Sequence, residues 1–143
     1  FRVIPGLTSG LAGLAYANIP ATTRDTNHGV VLVTGQYAGG DERSPEWDAV
    51  ARTGLPIILY MAMNRLAAIM ASLITSGLAP DLPVAVVQDA TTPEQRVLVS
   101  TLAQVGEEAA AQGFGAPAIV AIGAMVRLRE MLLPLAVALA DEP

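Results

Sequence analysis

The stretch "LPVAVVQDATTPEQRVLVSTL", residues 82–102, decides the fold. Both of its ends are rich in β-branched and other apolar residues, which is typical of strands. The segment "TTPEQ" between them has the Thr and Pro composition of a turn. Because strands joined by so short a turn pair antiparallel, the sequence predicts a hairpin with strands over 82–90 and 96–102.

Three further apolar runs predict strands on either side of this hairpin. Each is short, rich in Val, Ile or Leu and bounded by Gly or Pro, which is typical of a buried strand. The runs are "GVVLVTG" at 29–35, "PIILYM" at 56–61 and "PAIVAIG" at 117–123. The hairpin and these runs together make five strands.

Helical segments alternate with the predicted strands. Thr8 or Ser9 can cap the first helix, which Asn18 and Pro20 end. Later helices are expected from Ser44-Pro45 to Gly54, over 64–76 up to the cap residue Gly77, over 102–112, and from 125 onward with a break near Pro134. This order predicts a mixed α/β fold, a five-stranded sheet with flanking helices, and a first helix that leans away from the sheet.

Composition excludes several classes of function. Of the 143 residues, 52% are hydrophobic and 15% charged, which indicates one domain with a real core. A net charge of −5, with 8 basic residues in no cluster, argues against a nucleic-acid partner. The absence of Cys and the single His28 argue against a disulfide or a metal site. The apolar run "MLLPLAVALA" at 131–140 is about half a membrane span, so we expect a cytoplasmic protein.

The residues that follow the predicted strands are small residues, amides and methionines. They are "TGQ" at 34–36, "YMAM" at 60–63, "QDAT" at 88–91 and "IGAM" at 122–125. In open α/β sheets, ligands gather at the carboxyl ends of strands, and this lining suits a flat, partly apolar ligand. Core filling is the alternative role for each methionine. The paired carboxylates in "GGDE" and "GEE" are expected to be solvated, so no catalytic residue can be named.

Five motifs in a fixed order carry a resemblance to a known family. They are "VIPGLTSGLAGLAYANIP", "TRDTNHGVVLVTG", "ILYMAMNRL", "PVAVVQDATTPEQRVLVSTL" and "PAIVAIGAMVRLR". With them the chain resembles the tetrapyrrole methylases, which depend on S-adenosylmethionine, over nearly all of residues 3–129. The spelling "RDTNHG" is most similar to the branch that acts on uroporphyrinogen III.

The resemblance implies two α/β domains with the cofactor in the cleft between them. Residues 1–20 would then be the last turn and helix of a truncated N-terminal domain, 21–130 the C-terminal methylase domain, and 131–143 a tail. The family's glycine-rich cofactor loops are missing from this chain, so we expect the 143-residue piece alone to be inactive. The implied reaction is C-methylation of uroporphyrinogen III to precorrin-2, for cobalamin or siroheme, by a homodimer without a metal.

The resemblance also assigns residues to the cofactor. It implies six S-adenosylmethionine-binding positions: Thr8, Ser9, Met61, Ala90, Gly123 and Met125. Thr8 and Ser9 would meet the cofactor at the start of the linking helix, and Met61 would lie beside the adenosine. Ala90 would contribute its backbone, and the segment of Gly123 and Met125 would close the same pocket.

Three arginines are the candidates for binding the substrate's carboxylates: Arg24, Arg96 and Arg127. An exposed or ion-paired role is equally open for each. The chain departs from the family at Thr23 and Gln36, where histidines are common, and at Ala124, where glutamate is common. These departures argue against acid–base roles there.

Three other functions stay open from the sequence. One is a non-catalytic nucleotide-binding or regulatory α/β domain. Another is a dimerisation module that uses strand edges and the apolar tail. A third is a methylase that acts on a later precorrin. Transfer of a labelled methyl group to uroporphyrinogen III would separate the expected activity from all three.

Overall fold

The computed structural model describes residues 1–36 and 46–140. The helices are α1 (Ser9–Tyr16), α2 (Trp47–Arg52), α3 (Leu66–Thr75), α4 (Val105–Ala111) and α5 (Leu128–Ala140). The strands are β1 (Val31–Thr34), β2 (Ile57–Tyr60), β3 (Pro83–Gln88), β4 (Arg96–Thr101) and β5 (Ala118–Ile122). Short 3-10 helices at Met63–Arg65 and Ala124–Arg127 precede α3 and α5.

The strands form one mixed sheet in the order β1-β2-β5-β3-β4. β1 and β2 are parallel, whereas β5 runs antiparallel to both of its neighbours, β2 and β3. The hairpin of β3 and β4 pairs Gln88 with Arg96 and Pro83 with Thr101. The predicted five-stranded mixed sheet and its antiparallel hairpin are therefore confirmed.

Alternating side chains divide the core between the two faces of the sheet. Along β3, Val84 and Val86 pack with α3 and α4, while Ala85 and Val87 pack with α1 on the other face. All four side chains are fully buried. Burial of one valine contributes about 1.5–3 kcal/mol, so a central strand buried on both faces is a main source of stability.

The first helix does not lean away from the sheet, contrary to the sequence prediction. Leu14 of α1 is fully buried in the core on that face. The small residues Gly10 and Gly13 allow this packing. A Cβ on Gly10 would lie 2.1 Å from the Tyr60 hydroxyl, and one on Gly13 would lie 3.1 Å from the Ala90 Cβ. The glycines therefore bring the helix against the ends of the strands.

Two further expectations need correction, and one lies outside the described residues. β1 was expected to be buried, but it is an edge strand that pairs only with β2, and its Leu32 side chain is 47% exposed. α5 continues through Pro134, where the neighbouring side chains are exposed, so water can bond the carbonyl that the proline leaves unpaired. The predicted helix start at 44–45 is among the residues that are not described. The predicted cap Gly77, with φ of 99°, is confirmed at the end of α3.

Candidate functional site

A cavity opens where β2 and β3 end. Since β5 runs against them, its beginning closes the same edge of the sheet. The cavity has a volume of about 450 Å³, within the usual range for small-molecule sites. Its lining comes from four segments and from α1: Ser9, Gln36, Tyr60, Met61, Met63, Asn64, Val87, Asp89, Ala90, Thr92, Ala116, Pro117, Ala118 and Ile119.

The N-terminus of α1 is fixed to this edge by one hydrogen bond. The Thr8 hydroxyl and the Tyr60 phenol are 2.5 Å apart. Thr8 occupies the N-cap position, yet its side chain makes no capping bond to the helix backbone. The hydroxyl is instead used to hold the helix start against β2, which places Ser9 at the cavity.

The chain makes unusual turns directly after β2 and β3. Met61, Asp89 and Thr91 adopt positive φ angles of 52°, 48° and 71°. Such angles are uncommon for residues other than glycine and cluster at functional sites. Met61 is 60% exposed at the cavity, so its side chain is not part of the core.

A glutamine connects two walls of the cavity. The Gln88 amide nitrogen donates to the Asp89 carboxylate at 2.9 Å, and the Gln88 carbonyl oxygen accepts from the Gly115 amide at 2.9 Å. The Asp89 amide donates to the Pro117 carbonyl at 3.1 Å. The turn after β3 and the loop before β5 are thus joined, which fixes both Asp89 and the Ala116–Pro117 wall.

Four of the six predicted cofactor residues meet at this cavity, and two do not. Ser9, Met61 and Ala90 line it, and Thr8 adjoins it through Tyr60. The structure does not bring the predicted pair Gly123 and Met125 there.

Strand direction explains this difference. Because β5 is antiparallel, its carboxyl end lies at the opposite edge of the sheet, where the Gly123 amide donates to the Pro83 carbonyl. Met125 is fully buried in the core and is a core residue. Ala124, where the family commonly has glutamate, lies at the same opposite edge.

The predicted arginines also lie outside the cavity. The Arg96 guanidinium donates to the Gln112 and Gly113 carbonyls and stacks 4.1 Å from the centre of the Phe114 ring. The Arg96 guanidinium is therefore already engaged by contacts within the fold. Arg24 is exposed in the loop before β1, and Arg127 is exposed in the 3-10 helix after β5.

Sequence reasoning did not assign Tyr60, Asp89 or the wall at 116–119. Tyr60 and Asp89 belong to the strand-end segments named above. Nothing in the sequence indicates which side chain of these segments forms a hydrogen bond with a distant part of the chain. The wall at 116–119 was missed because the sequence analysis expected the carboxyl end of β5, and not its beginning, to border the cavity. The antiparallel direction of a strand that follows a helix has no local signal.

The lining is suited to binding more than to acid–base catalysis. Val87, Ala118 and Ile119 provide apolar walls, and Asp89 is the one carboxylate among the described residues that line the cavity. Within the described ranges, no group of His, Asp and Glu residues could hold a metal ion. In the same ranges, no helix is both long and apolar enough to cross a membrane.

Comparison with known proteins gives one consistent family. The family model of tetrapyrrole (corrin/porphyrin) methylases matches residues 1–106. A uroporphyrinogen-III C-methyltransferase of Sinorhizobium sp. is 47% identical over 134 residues, covering 92% of this chain and 48% of the relative. One from Synechocystis sp. is 42% identical over 140 residues, covering 94% and 53%.

A solved structure agrees with these relatives. The uroporphyrin-III C-methyltransferase of Thermus thermophilus, in complex with S-adenosylhomocysteine, superposes with a TM-score of 0.72 at 30% identity. The match covers 89% of this chain and 54% of that one. The chain spans about half the length of the curated relatives it matches. On the family model and these relatives together, the chain belongs to the tetrapyrrole methylase family.

Proposed function

We propose that this chain forms one side of an S-adenosylmethionine-dependent methyltransferase that methylates carbon atoms of uroporphyrinogen III and yields precorrin-2. The observation that carries the proposal is the cavity at the ends of β2 and β3, where Ser9, Met61 and Ala90 meet. Supporting it are the relatives, two of which are uroporphyrinogen-III C-methyltransferases.

The cavity fits the adenosyl part of such a cofactor. Val87, Ala118 and Ile119 form apolar walls that suit a planar base. The exposed Met61 thioether is flexible and polarizable, so it packs well against an aromatic ring. We assign the adenosine to this pocket, with Ala90 contributing its backbone and Thr8 and Ser9 holding the helix N-terminus beside it.

The role of these residues in the reaction is binding and orientation. When bound, the cofactor supplies a methyl group that its sulfonium already activates. Met61 and the apolar walls hold the cofactor in one position and exclude water from it. Tyr60 keeps α1 at the cavity by its bond to Thr8. No described residue is assigned as the base that removes the ring proton.

The domain assignment is part of the same proposal. Residues 1–20 would belong with an N-terminal domain, 21–130 would form the C-terminal domain, and 131–143 the tail. The other wall of the cofactor cleft would come from sequence outside these 143 residues, because the relatives are about twice as long. The isolated chain would then lack activity, and the full-length enzyme would act as a homodimer. Arg24 and Arg127 stay the candidates for the substrate's carboxylates.

Isotope transfer tests the function directly. The full-length gene product is incubated with methyl-labelled S-adenosylmethionine and uroporphyrinogen III, and the label is followed into the tetrapyrrole. We expect labelled precorrin-2 from the full-length protein and none from the 143-residue chain. In a parallel incubation with a later precorrin, label that enters that compound and not uroporphyrinogen III would assign the later precorrin as the substrate. Cofactor binding without any transfer would favour a non-catalytic nucleotide-binding domain.

A further inference from the structure

Two walls of the cavity are positioned by hydrogen bonds more than by burial. On one side, Ala116 and Pro117 are exposed in the loop between α4 and β5. On the other side, Asp89 is half-buried in the turn after β3. Because exposed loop residues gain little from packing in the core, the width of the cavity between these walls depends on the hydrogen bonds that join them.

Gln88 joins the two walls from behind, and it is not itself one of the described residues that line the cavity. Its amide nitrogen donates to the Asp89 carboxylate, and its carbonyl oxygen accepts from the Gly115 amide, both at 2.9 Å. Gly115 directly precedes the wall residue Ala116. The Asp89 amide, which donates to the Pro117 carbonyl at 3.1 Å, is a second link. A neutral amide side chain of this length can donate to a carboxylate and accept from a backbone N–H at once, which a carboxylate or an apolar side chain cannot do.

The turn that Gln88 holds has an unfavourable backbone conformation. Asp89 and Thr91 have φ angles of 48° and 71°, in a region that residues other than glycine keep only where several contacts enforce it. The Thr92 hydroxyl donates to the Asp89 carbonyl at 2.8 Å, and the Thr91 amide donates to the Gln95 side chain at 2.9 Å. These two bonds lie within the turn, whereas the Gln88 side chain also reaches the opposite wall. Without it, the turn can relax away from that wall.

We propose that Gln88 is a positioning residue for the cofactor, because it holds the two walls at the separation at which the adenosine fits between them. This inference rests on the proposed function, since it needs the cofactor to occupy this cavity. A cavity whose walls already have their bound positions loses no binding energy in ordering them. Without the Gln88 bonds, the cofactor must order the walls as it binds, so the affinity falls for S-adenosylmethionine and S-adenosylhomocysteine alike.

Gln88→Met removes both bonds and keeps the length of the side chain. The strand should survive, since the backbone at position 88 pairs with Arg96 on β4 and Ala118 on β5. Arg96→Gln is the control for stability, because Arg96 holds the same loop at its α4 end, away from the wall. Gln104→Met is the control for the chemical change. Its side chain is exposed beyond the end of β4, at the edge of the sheet opposite the cavity.

Cofactor affinity at known stability is the readout. Full-length wild type and variants are titrated calorimetrically with S-adenosylmethionine and with S-adenosylhomocysteine, beside a denaturant melt of each. Gln88→Met should weaken the binding of both ligands by about three- to tenfold, and each control should change it by less than about twofold. In the labelled-methyl assay, the KM of Gln88→Met for S-adenosylmethionine should rise by the same factor with kcat nearly unchanged.

The other outcomes separate this inference from the proposed function. Wild-type affinity in Gln88→Met, or the same loss of affinity in either control, would overturn the inference and leave the proposed function standing. If Gln88→Met does not fold, Gln88→Glu decides. It keeps the bond from Gly115 but sets a second carboxylate beside Asp89, so it should bind both ligands at least about threefold more weakly, and unchanged affinity would overturn the inference. Failure of the folded wild type to bind either ligand would overturn both.

Discussion

The Thr8 hydroxyl and the Tyr60 phenol, 2.5 Å apart and 52 residues apart in sequence, join the start of α1 to the carboxyl end of β2. This bond joins the residue that precedes the small-residue helix α1 to the strand end that borders the cavity. It fixes Ser9 and Met61, which are nearest neighbours in sequence of the bonded pair, on two sides of the same opening.

A double-mutant cycle measures this bond. Thr8→Val and Tyr60→Phe should each lower the free energy of unfolding by about 0.5–1.5 kcal/mol, and the double variant should lose less than the sum. Denaturant melts give the values. The control is Tyr16→Phe, since Tyr16 is 64% exposed and should tolerate the change. Strict additivity would mean that the two hydroxyls do not interact.

Gly10→Ala should destabilise the protein by crowding Tyr60. The added Cβ would lie 2.1 Å from the phenol oxygen and 2.7 Å from the ring carbon that bears it, so the ring must move and its bond to Thr8 must break. We expect a loss of about 1–3 kcal/mol in the free energy of unfolding.

Two further variants make this prediction specific. In a Tyr60→Ala background, most of the additional cost of Gly10→Ala should vanish, because the ring is gone and the remaining close neighbour of the added Cβ is the Ile58 Cγ2 at 3.0 Å. Gly6→Ala is the control, since nothing lies within 4 Å of the Cβ that it would add. If Gly10→Ala lowers the free energy of unfolding by the same amount in the Tyr60→Ala background, the crowding does not involve the Tyr60 ring.

Met61→Ala should weaken cofactor binding, whereas Met125→Ala should lower stability. Met61 is 60% exposed at the cavity, so its truncation should weaken cofactor binding by about 1–2 kcal/mol and leave stability nearly unchanged. Met125 is fully buried, so its truncation should cost about 2–5 kcal/mol of stability. Cofactor titration beside a denaturant melt of each full-length variant tests the pair. A stability loss in Met61→Ala with unchanged affinity would make Met61 a core residue.

Arg96→Gln should affect stability and not the substrate. The change removes the contact with Phe114 and the bonds to the carbonyls that end α4, at an exposed position, so we expect a loss of about 0.5–1 kcal/mol. The KM for the tetrapyrrole should stay at the wild-type value. A raised KM with wild-type stability would indicate that Arg96 binds the substrate.

The strands were predictable because their signals are local. The apolar runs at 56–61 and 82–90 are bounded by Gly, Pro or turn residues, and each became β2 or β3 within two residues of its predicted ends. The hairpin followed from a turn too short to allow any other pairing. The family resemblance then pointed to Met61 and Ala90, which the structure places on one cavity.

The predictions that the structure does not bear out concern features that depend on long-range packing. The direction of β5 is set by its neighbours β2 and β3, and this moved Gly123 and Met125 to the far edge. The packing of α1 depends on Gly10 fitting against Tyr60, a contact between residues 50 positions apart in sequence. Arg96 of β4 was a candidate for the substrate, and its partners could not be foreseen because the Phe114 ring and two carbonyls follow α4, later in the chain.

A crystal structure of the full-length protein with S-adenosylhomocysteine tests the central claim most directly. We predict that the adenine ring lies against the apolar walls of the cavity at the ends of β2 and β3, in contact with Met61 and Ala90 and with no contact to Met125. A cofactor bound at the opposite edge of the sheet, beside Gly123, or anywhere that leaves Met61 and Ala90 without contact, would contradict the account.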